Sequence, residues 1–178
     1  MKKRIAIIST GGTIEKTYDE LSGVLANHLS VLDVMLASLE LRGVEVQRVQ
    51  LMNKDSLEMT PDDHTLIAET ADRMARAVDG VVIVHGTDRL AQTGERIVEL
   101  VSTPRRPIVL TGAMRPYEMR STDASQNLTE ALLAVQLLPP GVYVAMHDQV
   151  LQFPGVVKDR QLGTFTRPGR PDRDGGTP

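Results

Sequence analysis

Apolar, β-branched runs recur along the chain at 4–9, 44–52, 80–85, 107–111 and 141–146. Their centres read Ile-Ala-Ile-Ile, Val-Val-Ile-Val, Ile-Val-Leu and Val-Tyr-Val-Ala, continuous rather than alternating with polar residues. A strand with one wet face alternates, whereas a strand covered on both faces does not, so the runs predict a parallel sheet buried between layers. Longer segments with helical patterning separate them. The stretch 30–41 carries Val31, Val34, Met35, Leu39 and Leu41. The stretch 61–77 opens with Thr60 as N-cap, Pro61 at the first helical position and Asp62 and Asp63 in the first turn, a helix start on three counts. Helices are also predicted at 90–100 and at 123–138, the latter stopped by Pro139-Pro140.

Strand and helix in steady alternation predict an α/β fold: a doubly wound, mostly parallel sheet with helices on both faces, Rossmann- or flavodoxin-like, with right-handed crossovers. A single domain over 1–165 is expected. Ligands of such sheets bind beyond the carboxyl ends of the strands, where the strand order switches. After Met146 the alternation stops. Residues 147–160 read as a loop or hairpin turning at Pro154-Gly155. Residues 166–178 are rich in Pro and Gly and almost without apolar side chains, the composition of a disordered tail.

Composition narrows the chemistry. The 178 residues are 41% hydrophobic and 24% charged, with a formal net charge of −3, and acids and bases are interspersed. No basic stripe speaks for nucleic acid, and with 3% aromatic residues and no Trp there is no base-stacking platform. The absence of Cys excludes disulfides, thiolate metal sites and cysteine nucleophiles. The apolar run behind Met1-Lys-Lys-Arg4 ends at Ile8, too short for a signal-peptide core of roughly 7–15 residues. No stretch approaches the roughly 20 apolar residues of a membrane span. A cytoplasmic protein with no membrane partner is expected. The histidines at 28, 64, 85 and 147 lack metal-ligand spacing, and neither a Walker nor a dinucleotide fingerprint occurs, so no metal and no cofactor are expected.

The candidate chemistry lies at the strand ends. The first strand runs into Thr10-Gly-Gly-Thr13, the second into Lys54, Asp55 and Ser56, the third into His85-Gly-Thr-Asp88 and the fourth into Thr111-Gly-Ala-Met-Arg115. Paired glycines let a ligand approach the backbone, and each threonine presents a hydroxyl at one edge of the sheet. Any one such segment is ordinary turn chemistry; together they point to a small-molecule site. Taken singly, Asp88 also suits a cap for the helix near Leu90. Lys158 by itself reads as a solvated charge, and His85 as a hydrogen-bonded residue of a buried strand end. Met35, Met52, Met114 and Met146 read as core or pocket wall.

Thr10-Gly-Gly-Thr-Ile14, His85-Gly-Thr-Asp88 and Thr111-Gly-Ala-Met-Arg-Pro116 together resemble the bacterial-type L-asparaginases, threonine amidohydrolases. The resemblance runs from about residue 4 to about residue 160. The family's usual C-terminal domain has no counterpart within these residues, which implies a short, single-domain form. The resemblance implies hydrolysis of L-asparagine to L-aspartate and ammonia. It gives Thr13 as nucleophile on a loop that closes over substrate, Tyr18 as the loop tyrosine that activates it, and Thr87 and Asp88 as the second threonine and its acid. Lys158 in Val156-Val-Lys-Asp-Arg160 is the lysine that pairs with that threonine. Ser56 holds the substrate carboxylate with its neighbour Asp55 beside it, Ala113 lines the reacting amide, and the backbones of Gly12 and Gly86 complete the substrate site.

The chemistry is coherent on its own terms. A threonine hydroxyl attacks an amide only when a neighbour takes its proton, and a tyrosine or a lysine can serve. The zwitterionic substrate needs an anion for its ammonium and donors for its carboxylate. Two residues depart from the family pattern: Arg89 stands where a small hydroxyl residue is common, and Leu57 where a polar amide is common. A homodimer or higher homo-oligomer is expected. Alternatives are a non-catalytic amino-acid-binding module of the same fold and an amidase for glutamine or a substituted asparagine. A role in transfer-RNA amidation is disfavoured because no RNA-binding segment accompanies these residues.

Overall fold

The computed structural model describes residues 1–26 and 31–168. The first apolar run becomes β1 (Lys3–Gly11). A hairpin of β2 (Thr17–Asp19) and β3 (Val24–Ala26) follows, then α1 (Leu32–Ala37), β4 (Val44–Lys54), α2 (Pro61–Ala75), β5 (Gly80–Val84) and α3 (Leu90–Leu100). The chain continues through β6 (Pro107–Thr111), α4 (Ala124–Leu137), β7 (Gly141–Met146) and β8 (Gln149–Gln152). It ends in a ribbon of β9 (Val157–Asp159) and β10 (Thr164–Thr166).

The central sheet has six strands in the order β4-β1-β5-β6-β7-β8. All its pairs are parallel except β7 with β8, so the expected doubly wound, mostly parallel sheet is present. Successive residues of one strand serve opposite layers, as the period of two requires. Ala6, Ile8, Val81, Ile83, Ile108 and Leu110 pack with α2 and α3 on one face. On the other, Ile5, Ile7, Val82, Val84 and Val109 pack with α1 and α4. Strand order reverses around β1, which has β4 on one side and β5 on the other. Thr10-Gly-Gly-Thr13 and His85-Gly-Thr-Asp88 therefore leave the sheet at neighbouring positions of the switch point.

The start of α2 forms as expected. Thr60 Oγ1 accepts from the Asp63 amide at 3.3 Å, and the Asp63 carboxylate accepts from the Thr60 amide at 2.8 Å. This reciprocal box satisfies two otherwise orphan donors of the first turn. Three readings of local structure change. The first helix is shorter than 30–41; Ser30 lies outside the described residues, and the Ser38 hydroxyl donates to the Met35 carbonyl at 2.6 Å where the helix ends. The tight turn in 147–160 falls at His147 and Asp148, both in the left-handed region with φ of 56° and 61°. This two-residue connection carries β7 into an antiparallel edge strand. Pro154-Gly155 instead bends the chain toward β9. Thr166, the first residue of the expected tail, belongs instead to β10; residues 169–178, on which the rest of that expectation falls, lie outside the described residues.

Candidate active site

Two glycines set the floor of the site. Gly12 has φ of 88°, and a Cβ there would lie 2.4 Å from the Cα of Gly86. Only glycine permits that approach, and it lays the Thr13 segment beside the Thr87 segment. Thr10 Oγ1 donates to the Val84 carbonyl at 2.9 Å, stitching the two strand ends together below the glycines. A Cβ on Gly86 would meet Ser56 Oγ at 2.6 Å, so Ser56, itself buried, closes in from the end of β4. Gly12, Gly86 and Ser56 thus come together at one end of the sheet.

Thr87 is buried and is the acceptor of a 2.8 Å hydrogen bond from Lys158 Nζ. The same ammonium donates to Asp88 Oδ1 at 2.9 Å. The Lys158 side chain is only 17% exposed, so it is not the free surface charge its type usually is. It arrives from β9, which the Thr164–Thr166 strand holds in antiparallel register with Phe165 opposite Lys158. Asp88 does not cap α3: the cap position is Arg89, without a side-chain cap bond, and the Asp88 carboxylate is taken by Lys158. The Thr87 hydroxyl faces Met114 Sδ at 3.6 Å, which makes Met114 part of the pocket wall.

Thr13 is half-buried and opens a 3-10 turn over Thr13–Glu15. Lys16, just beyond it, donates to Asp55 Oδ2 at 2.7 Å. Asp55 Oδ1 also accepts from the Leu57 amide and so caps the turn that holds Ser56. The Lys16 hydrogen bond first, and the Leu57 amide second, hold the Asp55 carboxyl below its ordinary range. Asp55 therefore braces the Thr13 loop against the Ser56 turn. Tyr18 is not gathered in. Its side chain is 61% exposed on the β2–β3 hairpin, and among the described residues no hydrogen bond joins its hydroxyl to Thr13. Its backbone amide donates to Glu118 at 2.7 Å, a second tether for the loop.

Arg89, the bulky departure, turns away from Asp88 and donates to the Met59 carbonyl, tying the Thr87-Asp88 segment to the Ser56 turn. Leu57 lies on the rim, largely exposed. His85 is fully buried. Its Nδ1–H donates to the Gly86 carbonyl at 2.8 Å, and its Nε2 pairs with Thr93 Oγ1, which also meets His64 Nδ1. Burial pushes the His85 pKa down to about 4, so a neutral ring fixes the backbone under Thr87.

Ala113 is fully buried behind this site. A carboxylate that sequence reading passes over holds its loop: Asp123 accepts from the amides of Met114 and Arg115 at 2.9 and 3.0 Å. Burial raises the Asp123 pKa, but the amides and His147 outweigh it and leave it lowered. Asn127 Nδ2 donates to the Gly112 carbonyl and to Asp123. No sequence signal marks these residues beyond their place at the start of a helix. Among the described residues no group of three or more His, Cys, Asp or Glu side chains is placed to hold a metal, and no helix is long and apolar enough to cross a membrane.

Two glycine-floored threonine turns, a lysine–carboxylate pair on one threonine and a braced loop on the other thus stand together at the switch point of the sheet. The family model "Asparaginase, N-terminal" matches residues 4–171, and the chain belongs to the asparaginase family. It is 33% identical over 162 residues to the L-asparaginase of Thermococcus kodakarensis, covering 90% of this chain and 49% of that protein. To a glutamyl-tRNA(Gln) amidotransferase subunit of Methanobrevibacter smithii it is 36% identical over 151 residues, 84% of this chain and 34% of that one. The solved thermostable L-asparaginase from Thermococcus kodakarensis superposes with a TM-score of 0.82 at 32% identity, over 92% of this chain and 51% of that one. A probable cytoplasmic L-asparaginase from Campylobacter jejuni gives 0.78 at 32% identity, over 94% and 52%. The chain spans about half the length of these L-asparaginases.

Proposed function

We propose that this asparaginase-family amidohydrolase hydrolyses the side-chain amide of L-asparagine, giving L-aspartate and ammonia in the cytoplasm, through a threonine nucleophile. The observation that carries the reading is the Thr87–Lys158–Asp88 hydrogen-bonded cluster standing beside Thr13 across the Gly12–Gly86 contact. Thr13 Oγ1 attacks the amide carbon, its proton ends on the amide nitrogen as the C–N bond breaks and ammonia leaves, and water then cleaves the Thr13 ester, releasing L-aspartate and restoring the hydroxyl. The positive charge of Lys158 beside Thr87 lowers the cost of drawing a proton from that hydroxyl, and Asp88 holds the lysine in place. Backbone N–H groups of the glycine turns and the Ala113 loop are the donors for the developing oxyanion. Ser56 binds the substrate carboxylate, and Asp88 receives its ammonium. Tyr18 joins this machinery only if the hairpin swings inward, so the loop position seen here is read as an open one.

The amidotransferase subunits among the relatives favour a second reading, in which the released amide nitrogen serves a glutamyl-tRNA rather than being lost as free ammonia. An ammonia-release assay across L-asparagine, L-glutamine and substituted asparagines, with and without glutamyl-tRNA, separates the two. L-Asparagine alone is expected to give ammonia, and Thr13→Ala and Thr87→Ala each to abolish it. Release that needs the tRNA would favour the second reading. Thermal stabilisation by aspartate without turnover of any amide would reduce the protein to a binding module.

A further inference from the structure

The turn between β7 and β8 holds a residue whose backbone and side chain point to different purposes. Two-residue hairpin turns with both φ positive favour Asn-Gly or Asp-Gly. Here the first position is His147, with φ of 56°. A non-glycine residue in that region is worth explaining by what its side chain does. The imidazole of His147 spans two parts of the site. Nε2 donates to Asp123 Oδ2 at 2.8 Å, and Nδ1 meets Thr164 Oγ1 at 3.0 Å. The His147 backbone amide donates to Asn127 Oδ1 at 3.1 Å, fixing the turn against α4.

Each arm ends at Thr87. Asp123 holds the Met114 and Arg115 amides, and Met114 Sδ lies 3.6 Å from Thr87 Oγ1. Thr164 begins β10, the strand that registers Lys158 on β9, and Lys158 Nζ lies 2.8 Å from the same hydroxyl. Asp123 and Lys158 belong to segments that share no strand pairing with one another.

We propose that His147 is a positioning residue that couples the Ala113–Arg115 loop to the Lys158 ribbon, setting the two walls around Thr87 in a common register. The proposal rests on the amidohydrolase reading for its kinetic consequence, but the coupling itself is a property of the fold. Asn tolerates the left-handed turn yet cannot reach both partners, so His147→Asn keeps the hairpin and removes the bridge. Thr164→Val cuts only the far arm.

Each variant is expected to lower kcat for amide hydrolysis about tenfold with little change in KM, because misplaced groups weaken the transition state more than binding. The double variant falls no further than the singles, since both break one connection. Hydrogen exchange gives a readout independent of turnover. In Thr164→Val the Met114 and Arg115 amides, which Thr164 does not touch, exchange faster than in the parent. Unchanged exchange at those amides overturns the coupling, as do kinetic losses that simply multiply in the double variant. If the parent chain turns over no amide, the functional reading fails and the exchange result alone decides the coupling.

Discussion

Lys158 is the residue on which the proposed chemistry depends most, because among the described residues it is the one that joins the buried Thr87 hydroxyl to a carboxylate. Lys158→Met keeps most of the side chain's length and apolar stem but removes the charge and both hydrogen bonds. Asp88 is not left stranded, being 32% exposed and 3.9 Å from Arg160. A loss of about 10²–10⁴-fold in kcat is therefore expected, the scale of a proton-transfer group, with a melting temperature close to that of the parent. Parent-level ammonia release from Lys158→Met would remove Lys158 from the mechanism. The residue is also a measure of what sequence can reveal. Thr13, Thr87, Gly12 and Gly86 are readable because a strand, a glycine and a hydroxyl are neighbours in the chain. Lys158 stands 71 positions from Thr87, and only its likeness to a family lysine marks it. Asp123, Asn127 and His147 carry no local pattern and escape a sequence reading, since their meaning lies wholly in contacts across the fold.

At the scale of elements, continuous apolar runs are enough to locate four of the five parallel strands, β4 being apolar only at interrupted positions such as Val44, Val46, Val49 and Leu51, and the Thr60-Pro61 signature is enough to start α2. The three-residue strands β2, β3, β9 and β10 escape, because so short a piece shows no periodicity. Yet the last two position Lys158, and what anchors their approach is a helix–loop contact. Phe153, buried on the way from β8 to β9, packs its ring against Gly94 of α3, where an added Cβ would lie 2.2 Å from the ring. Gly94→Ala sets two effects against each other. Alanine gains about 1 kcal/mol over glycine in a helix interior, while forcing bulk into a filled core costs about 1–3 kcal/mol. Phe153 is buried within the large core cluster, so its ring must displace packed neighbours to make room, and overpacking is expected to win. Gly94→Ala is expected to lower the melting temperature by a few degrees and to reduce kcat through the displaced ribbon. A variant more stable than the parent would show that the ring moves aside without cost.

For the molecule as a whole, alternation predicts the layers, but only the folded strand order shows that the two threonine turns flank the same switch. That juxtaposition places a neutral histidine in the core beneath the site, with a consequence for acid stability. The His85 pKa falls to about 4 in the folded chain because burial disfavours its charge, against about 6.5 when unfolded. His64 is lowered too, first by burial and then by the Arg89 charge. Between those pH values the unfolded chain binds the proton and the folded chain refuses it, so stability rises with pH in this window. The contribution is complete above about 6.5 and is lost progressively as pH falls to about 4; for His85 it amounts to roughly 3 kcal/mol. Asp55 and Asp63, held down chiefly by Lys16 and Lys54, and Asp123, held down by its amide donors and His147 against the opposing effect of burial, act in a lower window. Their stabilisation is present above the ordinary carboxylate value near 3.9 and disappears as pH falls through their lowered folded values. Melting temperature is thus expected to decline from pH 6.5 downward, before Asp55, Asp63 and Asp123 take up protons, and to fall further below pH 4. In His85→Asn, whose side-chain amide stands at the position of the imidazole Nδ1 and can still donate to the Gly86 carbonyl, the first decline should flatten while the second persists. An equally steep first decline in that variant would move the origin of the acid sensitivity away from His85.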